Sequence, residues 1–171
     1  MKCLLPGLAL LLLTPSALGA RVTVPGTSVS LAVPEGFVPM PADILALKYS
    51  RGGNPPSSVY STPGPSWAVN IAFSLRDVRL PPGSLAPAQT ALERSVQATP
   101  GFRWVKRGIE RVGNREWIVL KFWVNGLDQP IYNDLRATRE GEGTLIVSAN
   151  VTKTLYPKYA KTLDAAMSSL R

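Results

Sequence analysis

The chain has no histidine and only one cysteine, Cys3, among its 171 residues. Without histidine, neither a Ser-His-Asp nor a Cys-His catalytic apparatus can form. Typical zinc, copper and haem sites also depend on histidine or cysteine ligands. The eleven Asp and Glu residues are scattered and match no calcium-loop motif, and phosphate-binding glycine motifs are missing. We therefore expect no metal and no cofactor, and we interpret the chain as non-enzymatic.

The first twenty residues carry a targeting signal. Lys2 precedes an apolar run at residues 3–13, and small residues follow at positions 16–20. This order is typical of a secretory signal peptide. The apolar run is shorter than the roughly 20 residues that span a bilayer, and a retained anchor is the alternative. We interpret residues 1–20 as a cleaved signal peptide and residues 21–171 as one domain, located in the periplasm or secreted.

Cleavage after residue 20 would remove the cysteine and leave the mature chain without a disulfide to stabilise it. Cys3 lies before the apolar core, whereas a lipid-modified cysteine would follow it, so the signal is not that of a lipoprotein. Losing residues 1–20 removes Lys2 and Cys3, which leaves 151 of the 171 residues and lowers the net charge from +8 to +7. No disulfide can then form. A hydrophobic core must stabilise the domain, and about 150 residues are enough for one.

Strand patterns dominate the predicted domain. The clearest is Trp67–Leu75, where alternate residues are apolar, which indicates one buried and one wetter face. Gly113 and Asn114 separate two further strands as a hairpin turn. The other predicted strands cover residues 27–33, 44–49, 57–61, 102–112, 115–124, 129–138 and 143–151. The sequence therefore predicts a largely antiparallel sheet.

Two segments have helical spacing. Ser84 is suited to cap the first helix, with Pro87 in its first turn. Its apolar face contains Leu85, Ala88, Leu92 and Val96. Pro157 is suited to the first turn of the second helix. The apolar face of that helix contains Tyr159, Leu163, Ala166, Met167 and Leu170. We predict an α+β fold in which two helices cover the antiparallel sheet.

Three segments carry a resemblance to a known fold family. They are Val33-Pro34-Glu35-Gly36-Phe37, the hairpin pattern Gly113-x-x-x-Trp117-x-x-Leu120-x-Phe122, and the strand at residues 144–150 before the helix at residues 156–170. Over residues 24–171 the chain resembles the PsbP-like, or Mog-type, α/β sandwich family. The resemblance implies a non-catalytic binding or assembly module. The resemblance assigns no functional residue in this chain, because fold alone does not define function.

Basic and aromatic residues alternate within the predicted hairpin at residues 102–124. Such residues can hold an apolar or anionic ligand or an acidic partner. The candidate binding residues are Trp104, Arg107, Arg111, Trp117, Lys121 and Trp123. The alternation of the second strand places Trp117, Lys121 and Trp123 on one face. Either a helix covers that face, or the aromatic side chains line a groove.

These observations predict an exported, non-catalytic binding or accessory protein of the cell envelope. We expect its partner to be an envelope protein or an apolar or anionic ligand, and export disfavours nucleic acid. We expect a monomer. One alternative is a peripheral envelope protein that binds anionic lipid or polymer at the membrane surface. The other is a hydrolase with a histidine-free site, for which Glu140 and Glu142 are a carboxylate pair, although we interpret them as a solvated turn.

Overall fold

The computed structural model describes residues 18–50, 55–64 and 66–171. Most of the predicted signal peptide, residues 1–17, lies outside these ranges. The described chain forms a two-stranded hairpin, a seven-stranded antiparallel sheet and three helices. None of the helices in the described ranges is long and apolar enough to cross a bilayer.

The strands of the small hairpin are β1 (Leu18–Thr23) and β2 (Ser30–Pro34). The large sheet contains β3 (Val38–Pro39), β4 (Ser58–Ser61), β5 (Val69–Arg76), β6 (Arg103–Val112), β7 (Arg115–Asn125), β8 (Pro130–Glu140) and β9 (Gly143–Thr152). Its spatial order is β3-β4-β5-β9-β8-β7-β6. The helices are α1 (Ala42–Tyr49), α2 (Ala86–Gln97) and α3 (Tyr156–Ser168). The predicted α+β fold is confirmed, with one helix more than the sequence indicated.

Other elements pack on both faces of the large sheet. On one face, α3 and the β1–β2 hairpin pack on the apolar side chains of β5, β7 and β9, with Leu163 and Met167 of α3 in the centre of this core. On the other face, α2 packs on β7 and β8 through Ala88 and the preceding residue Leu85, and α1 packs against β4 and β5. The molecule is therefore a three-layer sandwich.

The segment at residues 44–49 was predicted to be a strand, and that prediction is wrong. It forms most of α1, whose first helical bond runs from the Leu45 amide to the Pro41 carbonyl at 2.9 Å. The segment is short, and its residues other than Lys48 are apolar or aromatic, so it shows neither a helical nor a strand period. Leu47 is 77 % exposed, which shows that its apolar character does not reflect a place in the core.

The prediction that β5 has one wetter face is wrong for the first half of the strand, although Ser74 and Arg76 on that face are partly exposed. Asn70 and Ala72 point away from the α3 side, yet both are buried. Ala72 packs in a cluster with residues of α1, and the Tyr49 hydroxyl at the end of α1 donates to Asn70 Oδ1 at 3.4 Å. The predicted first residue of this strand, Trp67, lies before it, with a positive φ of 45°. That conformation is rare for a bulky residue.

A charged cluster ties the β1–β2 hairpin to the end of the large sheet. The carboxylate of Glu140 accepts hydrogen bonds from the Ser28 amide at 2.6 Å and the Ser28 hydroxyl at 3.0 Å, and it pairs with Arg115. Burial by itself would raise the pKa of Glu140, but the Ser28 and Arg115 contacts lower it below its ordinary value. Ionised Glu140 therefore stabilises this junction.

Leu163 anchors α3, and its truncation should loosen the α3 layer. Replacing Leu163, which is 2 % exposed, with alanine should lower the free energy of unfolding by about 2–5 kcal/mol, because it leaves a cavity. The matched change Leu47→Ala, at an exposed position of α1, should alter it by less than about 0.5 kcal/mol. Urea denaturation followed by circular dichroism measures both. Equal losses in the two variants would contradict this packing.

Candidate ligand-binding groove beside the C-terminal helix

A groove of about 470 Å³ runs between α3 and the β6–β8 part of the sheet. It exists because the main contacts of α3 are with β9 and the β1–β2 hairpin, so that the sheet extends beyond the helix. The groove is lined by Val105, Lys106, Lys121, Tyr132, Asp134, Tyr156, Ala160, Lys161, Leu163 and Asp164. We call it the α3 groove. Its size is within the range of small-molecule sites.

The floor of the α3 groove is a network of ion pairs centred on Lys121. Its ammonium lies 2.6 Å from an Asp164 oxygen and 3.3 Å from an Asp134 oxygen. Arg136 donates from Nε and Nη2 to the two oxygens of Asp134, both at 3.2 Å, and from Nη1 to the Met167 carbonyl at 3.0 Å. The side chains of Asp134 and Arg136 are only 3 % and 4 % exposed.

The network is electrically balanced, with two cations and two anions. Burial by itself would lower the pKa of Lys121, but Asp164 and Asp134 raise it above its ordinary value. Lys121 is therefore a protonated structural cation rather than a base. Any charge that the groove offers to a ligand must come from its rim.

The rim of the α3 groove has surplus positive charge. Lys106 pairs with Glu110 at 2.7 Å. Lys161, exposed on α3, forms no ion pair with any residue in the described ranges. The groove continues along the sheet edge past Arg111 and Gly113. A ligand that enters it meets the ammonium of Lys161, which no described carboxylate compensates, above a neutral floor.

The other end of the α3 groove is apolar. Tyr132 and Tyr156 have ring centroids 4.7 Å apart and both lie against Trp123, which closes this end from behind. Val105 lies opposite and is 53 % exposed. The pairing of β6 with β7 shifts register between Trp104 and Lys106, so Val105 is the extra residue of a bulge. The bulge presents an apolar side chain to the groove.

The six candidate residues do not form one surface, because the sheet separates them. Cross-strand pairing puts Trp104 opposite Phe122 and Arg107 opposite Leu120, on the α2 face. Arg111 pairs with Glu116 on the same face. Because β6 is the edge strand, Arg111 also lines the extension of the α3 groove. The other three residues, Trp117, Lys121 and Trp123, lie on the α3 face. A single basic and aromatic patch of all six residues is therefore ruled out.

The candidate residues on the α2 face are engaged in packing. The Trp104 ring packs edge-on against Phe102 with centroids 4.6 Å apart. The Arg107 guanidinium lies 5.4 Å from the centre of the Trp104 ring and 3.0 Å from a Glu93 oxygen. These contacts attach α2 to β6. They explain the aromatic and basic pattern of β6 without a ligand.

On the α3 face, only Lys121 lines the groove directly. Trp117 is fully buried beneath the α3 layer, and its indole N–H has no hydrogen-bond partner in the described structure. Trp123 is half-buried behind Tyr132 and Tyr156. Both alternatives for this face are thus realised, since α3 covers one part of it and leaves a groove beside the other part.

Sequence reasoning missed several residues of the α3 groove, chiefly Val105, Tyr132, Asp134, Tyr156 and Lys161. One of these residues, Asp134, could have been predicted from the sequence. The pairing of Asn125 with Pro130 places Lys121 opposite Asp134, so correct register between the predicted strands would have indicated this ion pair. The contribution of α3 depends on helix docking, for which a single sequence holds no comparable signal.

The carboxylate pair considered for hydrolysis is not a pair. Glu140 is bound by Arg115 and Ser28, and its side chain is only 11 % exposed, so the expectation of a solvated turn is wrong for this residue. Glu142 is 81 % exposed and pairs with Arg79 at 2.7 Å. Within the described ranges, no group of His, Cys, Asp or Glu side chains is placed to hold a metal ion.

Solved structures share this arrangement of sheet and helices. Cyanobacterial PsbP (CyanoP) from Synechocystis superposes with a TM-score of 0.60 at 10 % identity, covering 93 % of this chain and 94 % of that one. This chain has the PsbP/Mog-type fold. The predicted fold resemblance is therefore confirmed, and at this identity it shows the fold alone.

Two other structures with the PsbP/Mog-type fold are also similar. LpqN of Mycobacterium tuberculosis, described as involved in cell envelope biogenesis, has a TM-score of 0.57 at 13 % identity, with 88 % of each chain covered. The Saccharomyces cerevisiae Ran-binding protein Mog1p has a TM-score of 0.56 at 13 % identity, with 91 % of this chain and 96 % of that chain covered. Comparison of the sequence with family models and with curated proteins found no match.

The ion-pair network should be sensitive to loss of its central anion. Replacing Asp134 with alanine leaves Arg136 and Lys121 without their shared carboxylate, and breaking such a buried pair costs about 3–5 kcal/mol. The control Asp128→Ala removes an exposed carboxylate and should change the free energy of unfolding by less than about 0.5 kcal/mol. Guanidinium denaturation compares the two. A small, equal effect would show that the network does not stabilise the groove floor.

Proposed function

We propose that this chain is an exported, non-catalytic binding protein of the cell envelope. The α3 groove takes a ligand or partner segment that has an apolar part and an anionic part. Export rests on the signal-peptide pattern of residues 1–20. A binding role is consistent with two proteins of the same fold, one involved in cell envelope biogenesis and the other a Ran-binding protein.

The observation that carries the proposal is the polarity of the α3 groove. Val105, Tyr132 and Tyr156 form an apolar end, and Val105 leaves more than half of its surface in water. Lys161 and Lys106 lie on the rim of the same groove. An occupant that covers Val105 and places an anion beside Lys161 gains apolar burial and a charge-assisted contact together.

A purely peripheral attachment to anionic lipid is less well supported. Such attachment needs cations gathered on one surface. Here the sheet divides them, with Arg107 paired to Glu93 on the α2 face and Lys106 and Lys161 at the α3 groove. We therefore favour an occupant that enters the groove over one that lies on a flat surface.

Dodecyl phosphate, used below its micellar concentration, combines both chemistries and serves as the probe. The protein should bind it saturably, and Lys161→Glu should weaken binding about tenfold or more, because an anion-binding contact becomes repulsive. Arg94→Glu is the matched control, since Arg94 is an exposed cation on α2. Isothermal titration calorimetry measures the affinities. Equal weakening in both variants would mean that net charge, not the groove, attracts the probe, and absence of binding would refute the proposed occupant.

A further inference from the structure

A second pocket lies on the opposite face of the sheet, and the proposed function does not use it. Its volume is about 620 Å³, larger than that of the α3 groove. It lies between the end of α1, the segment at residues 66–68 and the β7–β8 turn, over strands β5, β9 and β8. Because α1 covers β4 and β5 and α2 covers β7 and β8, a strip of the sheet between the two helices is left open.

Three asparagines form the floor of this pocket. Asn70 of β5 pairs in register with Asn150 of β9, which pairs in register with Asn133 of β8. Their side chains therefore share one face and repeat at the strand spacing of about 4.8 Å. We call them the asparagine row. They put planar amides, each with two donors and one carbonyl acceptor, side by side.

The asparagine row keeps part of its hydrogen-bonding capacity unused. Asn150 donates from Nδ2 to Asn70 Oδ1 at 3.1 Å, and Tyr49 donates its hydroxyl proton to the same oxygen at 3.4 Å. Asn133 donates one amide proton to the Ile131 carbonyl at 3.1 Å. The Oδ1 atoms of Asn150 and Asn133 accept no hydrogen bond from any residue in the described ranges. These acceptors remain available to a ligand.

The rim of the pocket is held in place by hydrogen bonds across its borders. The Lys48 ammonium donates to the carbonyls of Ser66 at 3.2 Å and Trp67 at 2.5 Å. On the other side, Gln129 Oε1 accepts from the Thr154 amide at 3.0 Å and the Thr154 hydroxyl at 2.7 Å. These contacts join α1 to the segment before β5, and the β7–β8 turn to the start of α3. The pocket is thus formed before any ligand arrives, which reduces the ordering cost of binding.

Backbone geometry supports the same rim. A side chain at Gly126 would place its Cβ 2.6 Å from the Gln129 carbonyl oxygen, so only glycine permits this tight turn. Trp67, on the opposite border, has a positive φ of 45°. Strained backbone of this kind persists where the surrounding structure holds it, as at ligand sites.

The charge of the pocket limits what it can bind. Its described lining contains one cation, Lys48, and one anion, Asp128. Lys48 is already bound to two carbonyls, and burial lowers the pKa of its amine. With one cation and one anion, the described lining has no net formal charge. The site therefore favours a neutral ligand, in contrast to the cationic rim of the α3 groove.

We propose that this pocket binds a neutral saccharide. Each sugar hydroxyl both donates and accepts hydrogen bonds, as the amides of the asparagine row do. The apolar walls formed by Val124, Ile131 and Leu155, together with the ring of Tyr49, suit the C–H faces of a sugar ring. A few convergent polar groups surrounded by apolar walls are typical of small-molecule sites.

The test uses neutral trisaccharides as probes, namely N,N′,N″-triacetylchitotriose, maltotriose and cellotriose, each at millimolar concentration. At least one should bind saturably and shift the side-chain amide resonances of Asn133 and Asn150 in ¹⁵N-labelled protein. Asn133→Ala should weaken that binding about tenfold, because it removes one amide of the asparagine row and leaves a ligand hydroxyl without its hydrogen-bond partner. Asn114→Ala removes an exposed amide at the β6–β7 turn and should leave the affinity unchanged.

A second variant keeps the test valid if Asn133→Ala destabilises the sheet. Ala68→Trp should fill the mouth of the pocket while leaving the asparagine row intact, and it should abolish binding. A capped trialanine peptide is the competing probe. The proposal is overturned if no trisaccharide shifts the asparagine resonances, if Ala68→Trp binds as the unaltered protein does, or if only the peptide binds.

Discussion

The structure depends on a mismatch between the width of its sheet and the width of the elements that cover it. Seven strands at about 4.8 Å spacing make a sheet roughly 29 Å wide, whereas a helix with its side chains is about 10 Å across. On the α3 side, one helix and a two-stranded hairpin share the face; on the other side, two helices do. Neither pair covers its face completely, and each leaves one opening.

The two openings differ in chemistry because of what lies beneath them. Under the α3 groove, Asp134 is buried on β8 and needs cations, which Lys121 and Arg136 supply. The charged side chains of the floor therefore neutralise one another, and the residues of the rim determine which ligand can bind. Under the second pocket the strip is uncharged, and neighbouring strands contribute amides instead. The same sheet thus offers one surface suited to an anionic, partly apolar occupant and one suited to a neutral occupant.

Periodicity predicted the elements that have an apolar face and clear ends. Strand β7 and helices α2 and α3 were found close to their observed bounds because their apolar residues recur at fixed spacing. Helix α1 was not predicted because its apolar residues do not form a single face, and the side chain of Leu47 is exposed to solvent. Burial on both faces of β5 was missed because it depends on where α1 docks, which no local pattern records.

The candidate site was harder to predict than the fold. Alternation along β7 placed Trp117, Lys121 and Trp123 on one face correctly. Grouping them with Trp104 and Arg107 failed, because those side chains lie on the α2 face. The exposed Val105 follows from a bulge in β6, and Lys161 reaches the groove only through the docking of α3. Such a site depends on register and packing, which a single sequence indicates only in part.

We propose that occupants bind in the α3 groove rather than over the basic surface in general. Backbone ¹H–¹⁵N spectra recorded during titration with dodecyl phosphate test it most directly. We expect shifts confined to β6 and β7 near Val105 and Lys121 and to α3 near Ala160, with the resonances of α2 unchanged. Shifts spread evenly over both faces, or centred on Arg107 and α2, would contradict it.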